Sequence, residues 1–309
     1  MSFEVIKPGI LSTLQDWGRY GYQHIGLTTG GPMDEHAFCW ANWLLDNEMN
    51  MAQIEITWGK LILKAHKPTI IALTGADLKA KLNDQYISPW TTYNISNGDI
   101  LSFDSPVQGL RAYLAVSGGF NVKDSLGSIA TIVREHIGGL ANGEPLKEGD
   151  LIPFSPSSEN HLKRVPKWAI PDYGAPLSLG VMLGYQQDSF SKPALDTFFS
   201  TQYEVSQNID RMGYRLTGSP ISGSLNGIIS EGIAYGAIQV PQDGQPIILM
   251  KDRQTIGGYP KLGCLSALGA SRLAQRAPGT SVSFFPMEID QAEAERYLFD
   301  QIVLASSVG

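Results

Sequence analysis

Cysteine, histidine and long apolar runs are the scarce features of this 309-residue sequence. Its two cysteines, Cys39 and Cys264, lie far apart in the apolar surroundings FCWAN and GCLSA. That excludes a disulfide framework and a cysteine-built zinc site, and leaves two small buried hydrophobes. Five histidines are scattered with no pair at metal-ligand spacing, so no metal centre is expected. No stretch approaches the ~18–20 consecutive apolar residues of a membrane-spanning helix. The opening MSFEVIKPGI lacks the charged start and apolar run of a secretory leader. Positive charge is also short, with 23 Lys and Arg against 30 Asp and Glu and a net charge of −7. Broad nucleic-acid binding is thereby excluded, because phosphate contacts need clustered Lys and Arg. The compartment these absences imply is cytoplasmic.

What is present is a folded core and many turns. Hydrophobic residues make up 43% and charged residues 17%, a balance that suits burial rather than disorder. The 33 glycines and 18 prolines are spread along the whole length, as expected for short strands joined by turns. Short apolar or alternating runs read as strands over 61–63, 69–73, 78–82 and 100–103. Leu110, Ala112, Leu114 and Val116 alternate against Arg111 and Tyr113 until Gly118 and Gly119 end the run. A glycine turn, one polar residue and a strand ending in Phe recur at Gly98–Asp99, Gly149–Asp150 and Gly279–Thr280. Related β units or turn chemistry alone would produce that recurrence.

Helices are few. Asp34 can cap a segment whose Ala37, Phe38, Ala41, Leu44 and Leu45 share one face. Ser271–Gln275 reads as one or two turns. At the C-terminus Asp290 and Glu293 form a capping-box pattern ahead of Ala294, Leu298, Ile302 and Ala305, a stripe for packing on a sheet or on a partner protein. Pro156, Pro166, Pro171 and Pro176 mark a linker over 156–176. The expected organisation is a β-rich part over 1–155, that linker, and a second part over 177–309.

Three segments concentrate polar residues among glycines. The first runs from Thr13 through Asp16 and Arg19 to Gly30, Met33 and Asp34; the second is Asp210–Arg211–Met212–Gly213 with Arg215. The third holds Glu231, Gln239, Gln245, Asp252, Arg253, Gln254, Gly257, Gly258, Tyr259 and Lys261. Here the apolar run Ile247–Met250 ends in DRQT, and Gly257–Gly258 lets the backbone turn sharply or approach a ligand. Glutamines offer donors and acceptors to an amide or ureido group, and Arg211 or Arg253 can hold a carboxylate or phosphate through two bonds. Each also has a plain structural reading: Asp34 as a helix cap, Asp16 and Arg19 as a local ion pair, and Asp210 and Arg211 as a solvated turn. Gly257–Gly258 also reads as an ordinary hairpin and Glu231 as a turn carboxylate.

TLQDWGRYGYQHIG, GGPMD, RAYLAVSGGF, DRMGYRL, ISEGIAYGAIQVPQDGQP and DRQTIGGYPK stand in this order between residues 13 and 261. On these motifs the chain resembles the allophanate hydrolase subunit 2 family, which is carboxyltransferase-like. The resemblance implies a mainly β fold of two β-barrel-like parts, the C-terminal one cyclophilin-like, with few short helices. It also implies a heteromer containing a partner of the allophanate hydrolase subunit 1 family.

Members of this kind are commonly the C component of ATP-dependent 5-oxoprolinase, acting with its A and B components to convert 5-oxoproline to glutamate. Fused relatives are the carboxyltransferase part of biotin-dependent urea carboxylases, and another relative antagonises a sporulation-kinase inhibitor. The first of these roles is the one expected here. Carried over residue by residue, Arg211 and Arg253 would bind carboxylate or phosphate, and Gln239, Gln245 and Gln254 would orient the amide. Glu231 and Asp252 would accept or orient a proton, Tyr259 would donate or stack, and Lys261 would stabilise charge. Asp16, Arg19, Asp34, Gly257 and Gly258 would support them. Three positions depart from the family pattern: Ile209 and Ile256 replace common hydroxyl residues, and Trp17 stands where Leu or Phe is usual. The sequence has no Walker-type phosphate loop and no Ala-Met-Lys-Met biotin segment. ATP is therefore expected to bind at or with the partner proteins, and biotin, in the carboxylase alternative, on another chain.

Overall fold

A computed structural model of the chain describes residues 2–155, 162–223 and 227–305. The fold is mainly β, with four helices among the described residues. Two compact units emerge: one comprises Met1–Arg19, Gly30–Gly174 and Val303–Gly309, the other Tyr20–Thr29 and Ala175–Ile302. The units divide at Gly174/Ala175; residues 156–161 of the expected linker lie outside the described residues.

The first unit is built from two sheets. Six strands run in the order Leu151–Pro153, Ser2–Pro8, Leu61–Ala65, Ile100–Ser102, Lys81–Leu82 and Gln85–Tyr86. Five more run Leu11–Gln15, Gln53–Thr57, Gln108–Val116, Thr69–Asp77 and Thr91–Ile95. One continuous core draws Phe3, Leu61 and Leu63 from the first sheet and Ile54, Leu73 and Leu114 from the second. Leu61–Ala65 alternates buried and half-buried, the pattern of a strand with one face on a core. Gln53–Thr57 is buried at every position. Helix α1, Glu35–Leu44, packs against Thr69–Asp77 and Gln108–Val116 of that same sheet. Asp34 caps α1 by accepting the Ala37 amide at 3.1 Å, as its position before the apolar stripe requires.

The second unit is a closed barrel of seven strands, in the order Leu177–Leu183, Lys261–Leu265, Ala237–Gln239, Ile247–Leu249, Gly213–Thr217, Tyr203–Ile209 and Ser281–Pro286. Neighbours are antiparallel except at the seam, where Leu177–Leu183 and Ser281–Pro286 run parallel. A two-stranded ribbon, Glu231–Gly232 with Ile256–Gly257, stands outside the barrel ladder.

Helix α2, Lys192–Ser200, adds to the helices expected from the sequence; Ser191 caps it and a proline sits in its first turn. Its Phe198 stacks on Phe284 at 4.5 Å between ring centroids, 15° from parallel. Helix α3, Ala267–Ala274, starts ahead of the expected 271–275 because Ser266 accepts the Gly269 amide at 3.0 Å.

Helix α4, Ile289–Ala305, corrects the expected cap. Asp290 lies inside the first turn, and it is Gln291 that reaches back, its Oε1 accepting the Glu288 amide at 3.1 Å. The buried line is Phe299 and Val303, whereas Leu298 of the expected stripe is 59% exposed. A rotation of one residue exchanges these positions and buries the larger ring.

Candidate functional site

The first polar segment is architectural. Asp16 turns toward the 128–130 loop, accepting from the Ser128 hydroxyl at 2.6 Å and the Ile129 amide at 2.7 Å. Arg19 donates to the carbonyls of Ser125 at 2.7 Å and Ser128 at 2.9 Å. The two thus clamp one loop instead of pairing with each other, because loop carbonyls and amides buried beside them need partners. Asp34, besides its cap, accepts the Tyr173 hydroxyl at 2.8 Å. The fully buried Tyr113 receives the Asp34 amide and donates to Glu55, each at 2.7 Å. Burial first, then the Glu55 carboxylate, pushes the Tyr113 phenol well above its ordinary range, so it stays a neutral donor.

Chemistry in the second unit starts where the Ile247–Leu249 strand ends. The Met250 and Asp252 amides each donate at 2.8 Å to the carbonyls of Met212 and Arg211, running the DRQT segment alongside DRMG. Arg211 then grips Asp252 with Nε and Nη2, both at 2.8 Å, and each residue is 5% exposed. This is a bidentate buried pair. The geometry therefore gives Arg211 and Asp252 to each other, and neither lines the neighbouring cleft. Asp210 accepts the amides of Met212 at 2.7 Å and Gly213 at 3.0 Å, which holds the turn between strands.

The cleft has a volume of about 570 Å³, and Gln239, Arg253, Gln254, Gly257, Gly258 and Tyr259 all line it. Ile209 also lines it, so the family's missing hydroxyl is missing from the cleft wall. Arg253 donates Nε to the Ile233 carbonyl at 3.1 Å and Nη1 to that of Met250 at 3.4 Å. Burial lowers its pKa. Gln239 is 5% exposed, and its Nε2 has no hydrogen-bond partner among the described residues. A side-chain carbon at Gly257 would fall 2.9 Å from that nitrogen and 2.5 Å from Cδ1 of Ile233. Glycine at 257 thus lets the backbone pack closely against Gln239 and Ile233.

Three predicted contributors, Gln245, Glu231 and Lys261, sit elsewhere. Gln245 is tied to Gly218, accepting its amide at 2.8 Å and donating to its carbonyl at 3.1 Å. It is a backbone brace that does not line the cleft. Glu231, on the ribbon, accepts from Lys261 Nζ, from the Tyr185 hydroxyl and from Gln186 Nε2, the last at 2.6 Å. The Gln186 side-chain Oε1 in turn accepts the Lys261 backbone amide at 2.8 Å. Lys261 beside Glu231 holds that carboxyl below its ordinary range, and the Tyr185 hydrogen bond adds to the effect. A carboxylate stabilised by three donors is a weak base and a good anchor. The same bond raises Tyr185.

Tyr185, Gln186 and Tyr235 are residues that sequence reasoning missed. For the first two a signal existed: polar residues directly after Gly184, at the end of the Leu177–Leu183 strand, where loops present side chains. Tyr235 sits in an apolar stretch without such a sign.

The chain matches the family "Carboxyltransferase domain, subdomain A and B" over residues 25–286. It is 33% identical to the C component of 5-oxoprolinase from Escherichia coli across 97% of each chain. Against urea amidolyase of Saccharomyces cerevisiae it is 31% identical, over 95% of this chain and 17% of that one. The crystal structure of Kluyveromyces lactis urea amidolyase superimposes with a TM-score of 0.92 at 29% identity, covering 99% of this chain and 20% of the larger one. This chain belongs to the family of the carboxyltransferase domain, subdomains A and B.

Proposed function

We propose that the chain is the C component of an ATP-dependent 5-oxoprolinase, working with the A and B components on the lactam of 5-oxoproline. The observation that carries this reading is the cleft in the barrel unit, where Gln239, Arg253 and Gln254 line a space sized for a small molecule. Opening a lactam develops negative charge on the carbonyl oxygen, and fixed N–H donors lower the barrier by meeting it. Identity to the Escherichia coli C component across 97% of each chain supports the same assignment. ATP belongs with the partner proteins in this reading, since this chain brings no Walker-type loop. The cytoplasm is the expected compartment; among the described residues no helix is long and apolar enough to cross a membrane.

A second reading, the carboxyltransferase of a biotin-dependent urea or amide carboxylase with biotin on another chain, is favoured by the structural match to urea amidolyase over 99% of this chain. One experiment separates them. The purified chain is mixed with the A and B components, and glutamate release is followed with ATP and 5-oxoproline. Release that requires all three proteins is expected. Release that continues without this chain removes the assignment, and urea carboxylation with a biotin carboxylase partner selects the second reading.

A further inference from the structure

The two walls of the cleft are held in different ways. Gln207, Ile209, Gly213, Gln239, Ile247 and Leu249 stand on barrel strands, fixed by the ladder around them. Ile233, Arg253, Gln254, Gly257, Gly258 and Tyr259 belong instead to the two-stranded ribbon and the turns on either side of it. That ribbon pairs Glu231 with Gly257 and Gly232 with Ile256. One bond extends it at each end, from the Ile233 amide to the Thr255 carbonyl at 3.0 Å and from the Ile228 amide to that of Gly258 at 2.9 Å. A ribbon of this length is marginal by itself in water, so its place on the barrel needs an anchor.

Glu231 supplies one. It stands opposite Gly257 in the ribbon register, and its carboxylate accepts from Lys261 Nζ, the Tyr185 hydroxyl and Gln186 Nε2. All three donors are rooted in the barrel. Lys261 opens the Lys261–Leu265 strand, directly after Pro260, whose carbonyl accepts the Val240 amide at 2.9 Å. Tyr185 and Gln186 follow the Leu177–Leu183 strand, and the Gln186 side chain is tied to the Lys261 backbone at 2.8 Å. Lys261 Nζ also reaches the Gly232 carbonyl at 3.4 Å, a second hold on the same ribbon strand. None of these four side chains lines the cleft, so the cluster acts on the wall and not on a bound molecule.

We propose that Glu231 is a positioning residue: with Lys261, Tyr185 and Gln186 it latches the ribbon to the barrel and so fixes one wall of the cleft. Glu231 and Lys261 thereby hold the wall, in place of transferring a proton and stabilising charge. A released ribbon leaves the cleft competent for only part of the time, and apparent affinity falls by that fraction. The kinetic consequence rests on the 5-oxoprolinase reading; the hold on the ribbon does not.

Hydrogen exchange on the full chain reads that hold directly. Tyr185→Phe should speed exchange of the Ile228 and Ile233 amides by about 3- to 10-fold, as befits one partly exposed charged contact. Glu231→Ala should speed it further, while the amides of Tyr203–Ile209 keep their rates. Glu231→Gln should stay near the parent, because its oxygen still accepts from Lys261 and the Tyr185 hydroxyl can accept from its nitrogen. In the complex with the A and B components, Glu231→Ala should raise KM for 5-oxoproline more than it lowers kcat, and Glu231→Gln should recover the loss. If Glu231→Ala does not fold, Tyr185→Phe decides alone. Ribbon exchange unchanged in these variants overturns the inference. So does a Glu231→Gln complex that loses about 100-fold or more in kcat with its ribbon protection intact, the mark of a proton-transfer group; the proposed function would then stand. A parent complex that releases no glutamate removes the proposed function, and exchange by itself then decides the latch.

Discussion

Arg211 and Asp252 stand 41 positions apart and meet through two 2.8 Å bonds in a nearly dry environment. Their charges sit in motifs that read as ligand-binding, and the structure uses them to splice two loops together. Removing one partner strands the other: Arg211→Ala is expected to destabilise the chain by about 3–5 kcal/mol. Denaturant unfolding checks this. The double change Arg211→Met with Asp252→Leu should recover most of the loss, because an apolar pair of similar volume replaces a desolvated one. A single variant as stable as the parent would return Arg211 to the ligand-binding candidates. At this scale the sequence is legible in kind and silent on pairing. The glycine-rich polar segments hold the cleft residues Gln239, Arg253, Gln254 and Tyr259, yet nothing in their order separates them from Gln245, which braces Gly218. Side-chain partners are set by folding in three dimensions, and spacing along the chain carries almost none of that information.

Secondary elements are most legible where a local signal is strong. Asp34 ahead of an apolar stripe marks α1, and the strand ending at Val116 is visible in its alternation. The recurring Gly-polar-strand pattern resolves as turn chemistry: Gly98, Gly149 and Gly279 have φ of 90°, 84° and 87°, with open space where a side chain would stand. Such a backbone suits glycine without any relation between the strands that follow. Helix α2 is harder to see, although Ser191 and the proline after Lys192 are a readable start; its nine residues contain too short an apolar period to stand out among strands. In α4 the burial register decides the energetics. Phe299→Ala is expected to cost about 3–5 kcal/mol, whereas Leu298→Ala, one residue away and largely exposed, should stay within about 0.5 kcal/mol. Thermal or denaturant midpoints of the two variants test the register. A large loss at Leu298 with none at Phe299 would rule it out.

For the whole molecule, barrel closure joins the two ends of the second unit. Ser281–Pro286 pairs in parallel with Leu177–Leu183 and antiparallel with Tyr203–Ile209, so the last strand completes both sides of the seam. A chain stopped before Ser281 leaves two edges unpaired and uncovers Phe198 and Leu179. Such a chain is expected to lose cooperative unfolding of this unit and to be cut by protease at concentrations that spare the full chain. A sharp transition matching that of the intact protein would argue against closure as the stabilising event. The segment Tyr20–Thr29, drawn from the first polar motif, belongs to this unit as well, its Thr28 hydroxyl donating to the Lys251 carbonyl at 3.3 Å.

By itself the sequence determined the mainly β character, the few helices and the segments from which the cleft is made, because composition, turn residues and local periodicity act over a few neighbours; the family it gave through its ordered motifs. Only the tertiary structure decided that the second unit closes as a seven-stranded barrel, that Arg211 neutralises Asp252, and that Arg253 and Gln239 come to line one cleft. Those outcomes depend on which distant strands share hydrogen bonds and which buried groups find partners, and long-range packing alone makes that choice.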